Sequence, residues 1–170
     1  VEARAAVRAA YEIDGPVYLR FGRMAVPVVN DFDGYEFRVG KGTVMREGSD
    51  VAIIACGIEA VFALEAAQAL ADEGIFCEVI NMATVKPLDE GLVRAAAKQC
   101  GRIVTVEEHS VIGGLGDAVI SALADDPVPV RKVGMEEVFG ESGTAQELLA
   151  KYGLDAEGIV CAVREFVRGE

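Results

Sequence analysis

Residues 51–81 read VAIIACGIEAVFALEAAQALADEGIFCEVIN, and the change of pattern inside this stretch decides the fold. Val51 to Cys56 is an unbroken apolar run, short enough for a strand and apolar enough to be covered on both faces of a parallel sheet. Gly57 turns the chain into a helix. Its apolar positions Ile58, Val61, Phe62, Ala66, Ala69 and Leu70 follow the 3.6-residue period, with Glu59, Glu65, Gln68 and Asp72 on the opposite side. Gly74 stops this helix, and Phe76 to Asn81 is the next strand. Strand, helix and strand in succession form a right-handed crossover between parallel strands.

The same rhythm continues toward the C-terminus. KPLDEGLVRAAAKQCG (86–101) supplies a proline, an Asp89 N-cap, a helix, a late Lys98 and a terminating Gly101. RIVTVE (102–107) is a third strand. VPVRKV (128–133) is a fourth, and Pro129 within it assigns it to an edge. Thr144 and Glu147 have capping-box spacing for a helix through Lys151. Asp155 caps a last helix with Ile159, Val160, Val163, Phe166 and Val167 facing inward. Toward the N-terminus, GTVMRE (42–47) is a further short strand, and residues 1–23 read as one helix and an alternating strand from Val17 to Phe21. Residues 24–42 hold a proline and several turn residues and read as a linker. The chain therefore divides into residues 1–35, the tail of a different domain plus linker, and residues 36–170, a three-layer α/β domain.

Composition bounds the function. The 170 residues suffice for one well-buried domain, and 52% hydrophobic with 26% charged residues is ordinary for a globular chain. No apolar run reaches the length of a membrane span, and the N-terminus lacks a signal-peptide pattern. Val1 is not an initiator, so the chain is expected to be a processed product or an excised segment. A net charge of −12 argues against nucleic acid and anionic membranes as partners. Cys56, Cys77, Cys100 and Cys161 form no CxxC pair, and one histidine does not complete a zinc set. They read as buried free thiols of a protein in the reducing cytoplasm.

VEEHSVIGGLGDAV (106–119) carries the only histidine and the densest glycine cluster. It admits two readings, a phosphate cradle beside a general base or a plain strand-to-helix turn. Gly113, Gly114 and Gly116 miss the GxGxxG spacing, no Walker lysine follows, and Glu107 and Glu108 would oppose a phosphate. The turn is the stronger reading. Gly113 and Gly114 permit positive φ and close backbone approach, while Leu115, Val119, Ala122 and Leu123 bury one helix face. His109 has only the adjacent Ser110 beside it, which makes no triad, so a structural or interface role is favoured.

DGPVYLRFGR (14–23), GSDVAIIACGIEA (48–60), INMATVKPLDEGLV (80–93) and RIVTVEEHSVIGGLGDAV (102–119) together resemble the C-terminal portion of the transketolase family. The likeness is greatest to the C-terminal half-chains of split bacterial transketolases. 1-Deoxyxylulose-5-phosphate synthases and the β subunits of 2-oxo acid dehydrogenases share the outline. The resemblance implies a five-stranded mixed sheet of order 1-3-2-4-5 with strand 1, GTVMRE, antiparallel. It puts Gly57 and His109 on neighbouring loops at the carboxyl ends of strands two and four, a topological switch point.

Further expectations follow from the resemblance. The complete enzyme transfers a two-carbon ketol unit between sugar phosphates, using thiamine diphosphate and magnesium. It forms a homodimer from an N-terminal diphosphate-binding chain or domain, a pyrimidine-binding domain and this segment. The segment supports assembly and carries no cofactor, because it has neither a GDG followed by NN nor a pyrimidine-domain core. Arg20 or Arg23 lies where family members grip the substrate phosphate, a task suited to a guanidinium. Arg23 fits the transketolase pattern better and Arg20 that of the deoxyxylulose enzyme, while an interdomain ion pair is an equal alternative. The loop of His109, Gly113, Gly114 and Gly116 is expected at a subunit or domain contact. A non-catalytic assembly module of the same fold is the competing class.

Overall fold

The computed structural model describes residues 1–169. Helix α1 (Glu2–Tyr11) is followed by a long irregular stretch and then by β1 (Thr43–Arg46), β2 (Val51–Ala55), α2 (Glu59–Asp72), β3 (Cys77–Asn81) and α3 (Glu90–Cys100). The chain continues through β4 (Ile103–Ser110), α4 (Leu115–Ala122), β5 (Val130–Met135), α5 (Ala145–Lys151) and α6 (Ala156–Arg168). The five strands form one sheet of order β1-β3-β2-β4-β5. β1 runs antiparallel to β3, and the remaining neighbours are parallel. This is the topology that the resemblance implies.

The central strands explain themselves by burial. Every residue of β2 and β3 is buried; β2 is a continuous apolar run, whereas β3 also buries Glu78 and Asn81. Alternate side chains feed two separate cores. Val51, Ile53, Ala55, Val79, Val104 and Val106 pack with α2 and α6 on one face. Ala52, Ile54, Ile80 and Ile103 pack with α3 and α4 on the other. Each buried Val, Ile or Leu contributes about 1.5–3 kcal/mol. Ala60, Ala63, Ala66 and Ala67 are all buried, and this small-residue stripe lets α2 lie close to the sheet.

The helix ends follow their sequence signals. Asp89 accepts the Leu92 amide at 3.2 Å, and Gly101 leaves α3 with φ 69°. Thr144 and Glu147 form the complete capping box, and Asp155 accepts the Gly158 amide at 2.9 Å. Pro129 lies immediately before β5, which is an edge strand.

Several expectations are corrected. Val17 to Phe21 is irregular and exposed, not a strand, since a strand needs a ladder partner and its backbone bonds to no described strand. Glu59 is fully buried, because α2 is covered by α6 as well as by the sheet, and Ala69 is exposed. Cys77 and Cys100 are buried, but Cys56 is half-buried and Cys161 is exposed on α6. β4 continues past Glu107 to Ser110, so His109 stands on a projecting strand end and not in a loop.

α1 buries no residue of its own. It is held by one carboxylate, Glu2 Oε2, which accepts from Tyr35 Oη at 3.0 Å, Asn30 Nδ2 at 3.3 Å and Asn81 Nδ2 at the end of β3. Among the described residues no helix is long and apolar enough to cross a membrane.

Candidate functional site

The carboxyl ends of β2 and β4 lie side by side, and the residues singled out in the sequence gather around them. β4 delivers Glu107 as its last buried residue, 3% exposed. A helix N-terminus offers unpaired amides and a positive dipole end, so it is the natural seat of an anion. At α4 that seat is taken by Glu107, whose carboxylate accepts the Leu115 amide at 2.8 Å and the Gly116 amide at 2.9 Å. Gly114 is extended, with φ −97°. Its lack of a side chain serves approach instead of backbone freedom, because a Cβ there would overlap the Glu107 carboxylate. Only Gly113, with φ 73°, needs the left-handed region.

The rest of the glycine loop is pinned from the far side. Lys132 Nζ donates to the Val111 carbonyl at 2.7 Å and to Asp117 Oδ1 at 2.9 Å. The Gly113 amide donates to Asp117 Oδ2 at 2.6 Å. Lys132 and this amide together hold the Asp117 carboxyl below the usual carboxylate range. A Cβ on Gly116 would strike the Lys132 stem and the Thr105 hydroxyl. His109 is exposed, and its Nδ1 lies 3.4 Å from the Ser110 carbonyl. The Ser110 hydroxyl accepts the Ile112 amide, so the two side chains do not face one another as nucleophile and base.

β2 supplies the other wall. Gly57, with φ 66°, leads the chain from Cys56 into α2. Glu59 follows in the first turn, 0% exposed, with neither carboxylate oxygen hydrogen-bonded. Burial pushes its pKa up to about 8, and the charges of Glu108 and Asp155 add to the effect. Burial likewise drives the Cys56 thiol up to about 12, helped by Glu107, opposed by Arg20, and helped further by Glu59 and Glu108. A thiol so raised is a poor nucleophile.

The two arginines separate. Arg20 Nη2 donates to the Glu108 carbonyl at 2.8 Å and lies 3.8 Å from the Glu108 carboxylate. Arg23 is exposed and takes part in no hydrogen bond or ion pair among the described residues. The crevice is thus acidic and engages a guanidinium. Glu59, the capping role of Glu107 and the Glu2 hub were missed in the sequence. For Glu59 a signal exists, an acid in the first turn of a helix. For Glu107 the signal is an acid placed just ahead of a glycine-rich helix start.

Against known proteins, the model of the transketolase C-terminal domain matches residues 40–159, and the chain belongs to the transketolase family. It is 42% identical over 167 residues to one of the subunits of the apulose-4-phosphate transketolase of Phocaeicola vulgatus, covering 98% of this chain and 54% of that protein. It is 42% identical over 172 residues to 1-deoxy-D-xylulose-5-phosphate synthase 1 of Geobacter sulfurreducens, covering 98% of this chain and 27% of the relative. A solved split-gene transketolase, an inactive β4 tetramer, superposes with a TM-score of 0.91 at 51% identity, over 97% of this chain and 54% of that one. The chain therefore spans about half the length of the split-subunit relatives.

Proposed function

We propose that this chain is the C-terminal part of a cytoplasmic, thiamine-diphosphate-dependent transketolase that moves a two-carbon ketol unit between sugar phosphates. The observation that carries this reading is the likeness to a transketolase subunit across 98% of the chain, at 42% identity. Residues 1–35 serve as the tail of a pyrimidine-binding domain, and an N-terminal diphosphate-binding chain or domain completes the assembly, which works as a homodimer.

This chain's own residues do not fit the cofactor. Glu107 fills the N-terminus of α4 with its own carboxylate, and Glu108, the next residue of β4, places a further acidic side chain at the same crevice, where a diphosphate would be repelled. Thiamine diphosphate and magnesium are therefore assigned to the partner domains, and no step of the transfer runs through this crevice. The role left to the chain is assembly, with the His109–Gly116 face against another subunit or domain, and a hold on substrate. Arg23 is favoured for that hold, since its guanidinium is free while that of Arg20 is engaged with Glu108.

The test is reconstitution with the N-terminal partner chain, followed by a ketol-transfer assay with thiamine diphosphate and magnesium. Activity is expected only from the combined chains. An inactive complex that forms stoichiometrically, or full activity from this chain alone, would count against the reading. The 42% identity to a deoxyxylulose-phosphate synthase keeps a second reading in view, which the same complex tests by its formation of 1-deoxyxylulose 5-phosphate.

A further inference from the structure

Between α1 and β1 the chain crosses the carboxyl end of the sheet as a strap. From Asp14 to Asp33 no backbone–backbone hydrogen bond involving its amides or carbonyls ties it to the described residues except Tyr35 bonding back to Phe32. Residues 17–23 are all exposed. Between Asp14 and Val29 the one polar tie to the rest of the described chain is Arg20 on Glu108. The next anchor is buried Asn30, which reaches Glu2. The route of the strap across the crevice therefore hangs on Arg20.

The crevice has reason to seat a cation. Glu108 stands at its rim with its carboxylate 3.8 Å from Arg20 Nη2 and its carbonyl 2.8 Å from the same nitrogen, and the buried Glu107 precedes it on β4. A switch point that α/β sheets commonly give to a small ligand is occupied here by a side chain of the same polypeptide. Arg23 follows three residues later, within about 10 Å of extended chain. Where its guanidinium stands depends on where Arg20 is fixed.

We propose that Arg20 and Glu108 form a clamp that fixes the strap on the β2–β4 crevice and so positions Arg23 for the substrate phosphate. Arg20 and Glu108 are then positioning residues and Arg23 the substrate contact. This rests on the transketolase reading above. The shorter contact is to the Glu108 carbonyl, so removing the Glu108 side-chain charge alone leaves most of the clamp, whereas reversing that charge opens it.

The experiment uses the complete enzyme, with Arg20→Ala, Arg20→Lys, Arg23→Ala, Glu108→Gln, Glu108→Lys and the double variant of Arg20→Ala with Glu108→Lys. KM and kcat are measured with phosphorylated and unphosphorylated sugars, and deuterium uptake is followed over residues 12–30. Arg20→Ala and Glu108→Lys are expected to raise KM for phosphorylated sugars about 5- to 10-fold. kcat stays within about twofold, unphosphorylated sugars are unaffected, and exchange across the strap quickens. Arg20→Lys is expected to recover part of the loss, Glu108→Gln to change little, and the double variant to match Arg20→Ala alone.

The clamp is overturned if Arg23→Ala weakens phosphorylated sugars but Arg20→Ala neither weakens them nor quickens exchange. It is also overturned if Arg20→Ala matches Arg23→Ala in size with exchange unchanged, which would make Arg20 the substrate contact. If Arg23→Ala does not discriminate between the two sugar types, the phosphate reading fails. Deuterium exchange in Arg20→Ala then still decides whether the clamp exists.

Discussion

Glu107 closes the N-terminus of α4 on Leu115, taking its amide at 2.8 Å on one carboxylate oxygen while the other takes the Gly116 amide at 2.9 Å. One buried side chain thereby joins the end of β4 to the start of the next helix. Replacing it leaves two buried donors without an acceptor, and each such loss costs about 1–3 kcal/mol. Glu107→Ala is expected to lower unfolding stability by about 2–6 kcal/mol, summing the two. Glu107→Gln, which keeps one acceptor, should cost less. Denaturant unfolding checks both, and a loss below about 0.5 kcal/mol for Glu107→Ala would remove the carboxylate from its capping role.

Gly114 depends on Glu107. The backbone of Gly114 is extended, so a side chain is not barred by φ, and the obstacle is the Glu107 carboxylate that a Cβ would overlap. Gly114→Ala is expected to cost about 1–3 kcal/mol, in the range of overpacking. Introduced together with Glu107→Ala, it should cost much less than in the parent, because the group it strikes is gone. Additive effects would show that Gly114 acts through something other than this contact.

The strands and helices of the sheet domain were legible because their signals are local, while the strand order came from the family resemblance. Buried runs such as VAIIA, the Asp89, Thr144 and Asp155 caps, and Gly101 each report their element without reference to distant residues. The edge position of β5 was legible from Pro129. Failures occurred where a neighbour distant in sequence decides the outcome. Glu59 has the periodicity of a solvent-facing residue and is buried. Val17 to Phe21 alternates like a strand but has no strand to pair with. In the candidate site, the glycines and acids were visible in the sequence. That one acid occupies the helix end and that Arg20 lies on Glu108, 88 residues away, is tertiary information.

Arg23 is expected to carry the phosphate contact of the complete enzyme. Losing one charge-assisted contact costs about 1.5–3 kcal/mol, or roughly 10- to 150-fold in affinity. Arg23→Ala should therefore weaken phosphorylated substrates by that factor and leave unphosphorylated ones nearly unchanged. Steady-state kinetics with paired substrates decides this, and equal losses on both would give Arg23 a structural role.

Glu59 makes folding depend on pH in the direction opposite to a salt-bridged acid. Its carboxyl lies in the first turn of α2, with Glu108 of β4 and the α6 cap Asp155 facing it and the raised Cys56 thiol nearby. Burial, then these like charges, lift its folded pKa from 4.5 to about 8. Between these two values the folded state holds a proton that the unfolded chain has released. Stability from this group is thus fully present below about pH 4.5 and is lost as pH rises toward 8. Glu59→Gln keeps the shape and removes the titration. The variant should be more stable than the parent at pH 8–9, by on the order of 2–4 kcal/mol, with the difference narrowing toward pH 5. A smaller slope of the same sign should persist in the variant, because burial also raises Glu78. Thermal or denaturant unfolding from pH 5 to 9 measures the difference directly. A parent and variant whose stability curves stay parallel would mean that Glu59 is charged and solvated in the folded protein.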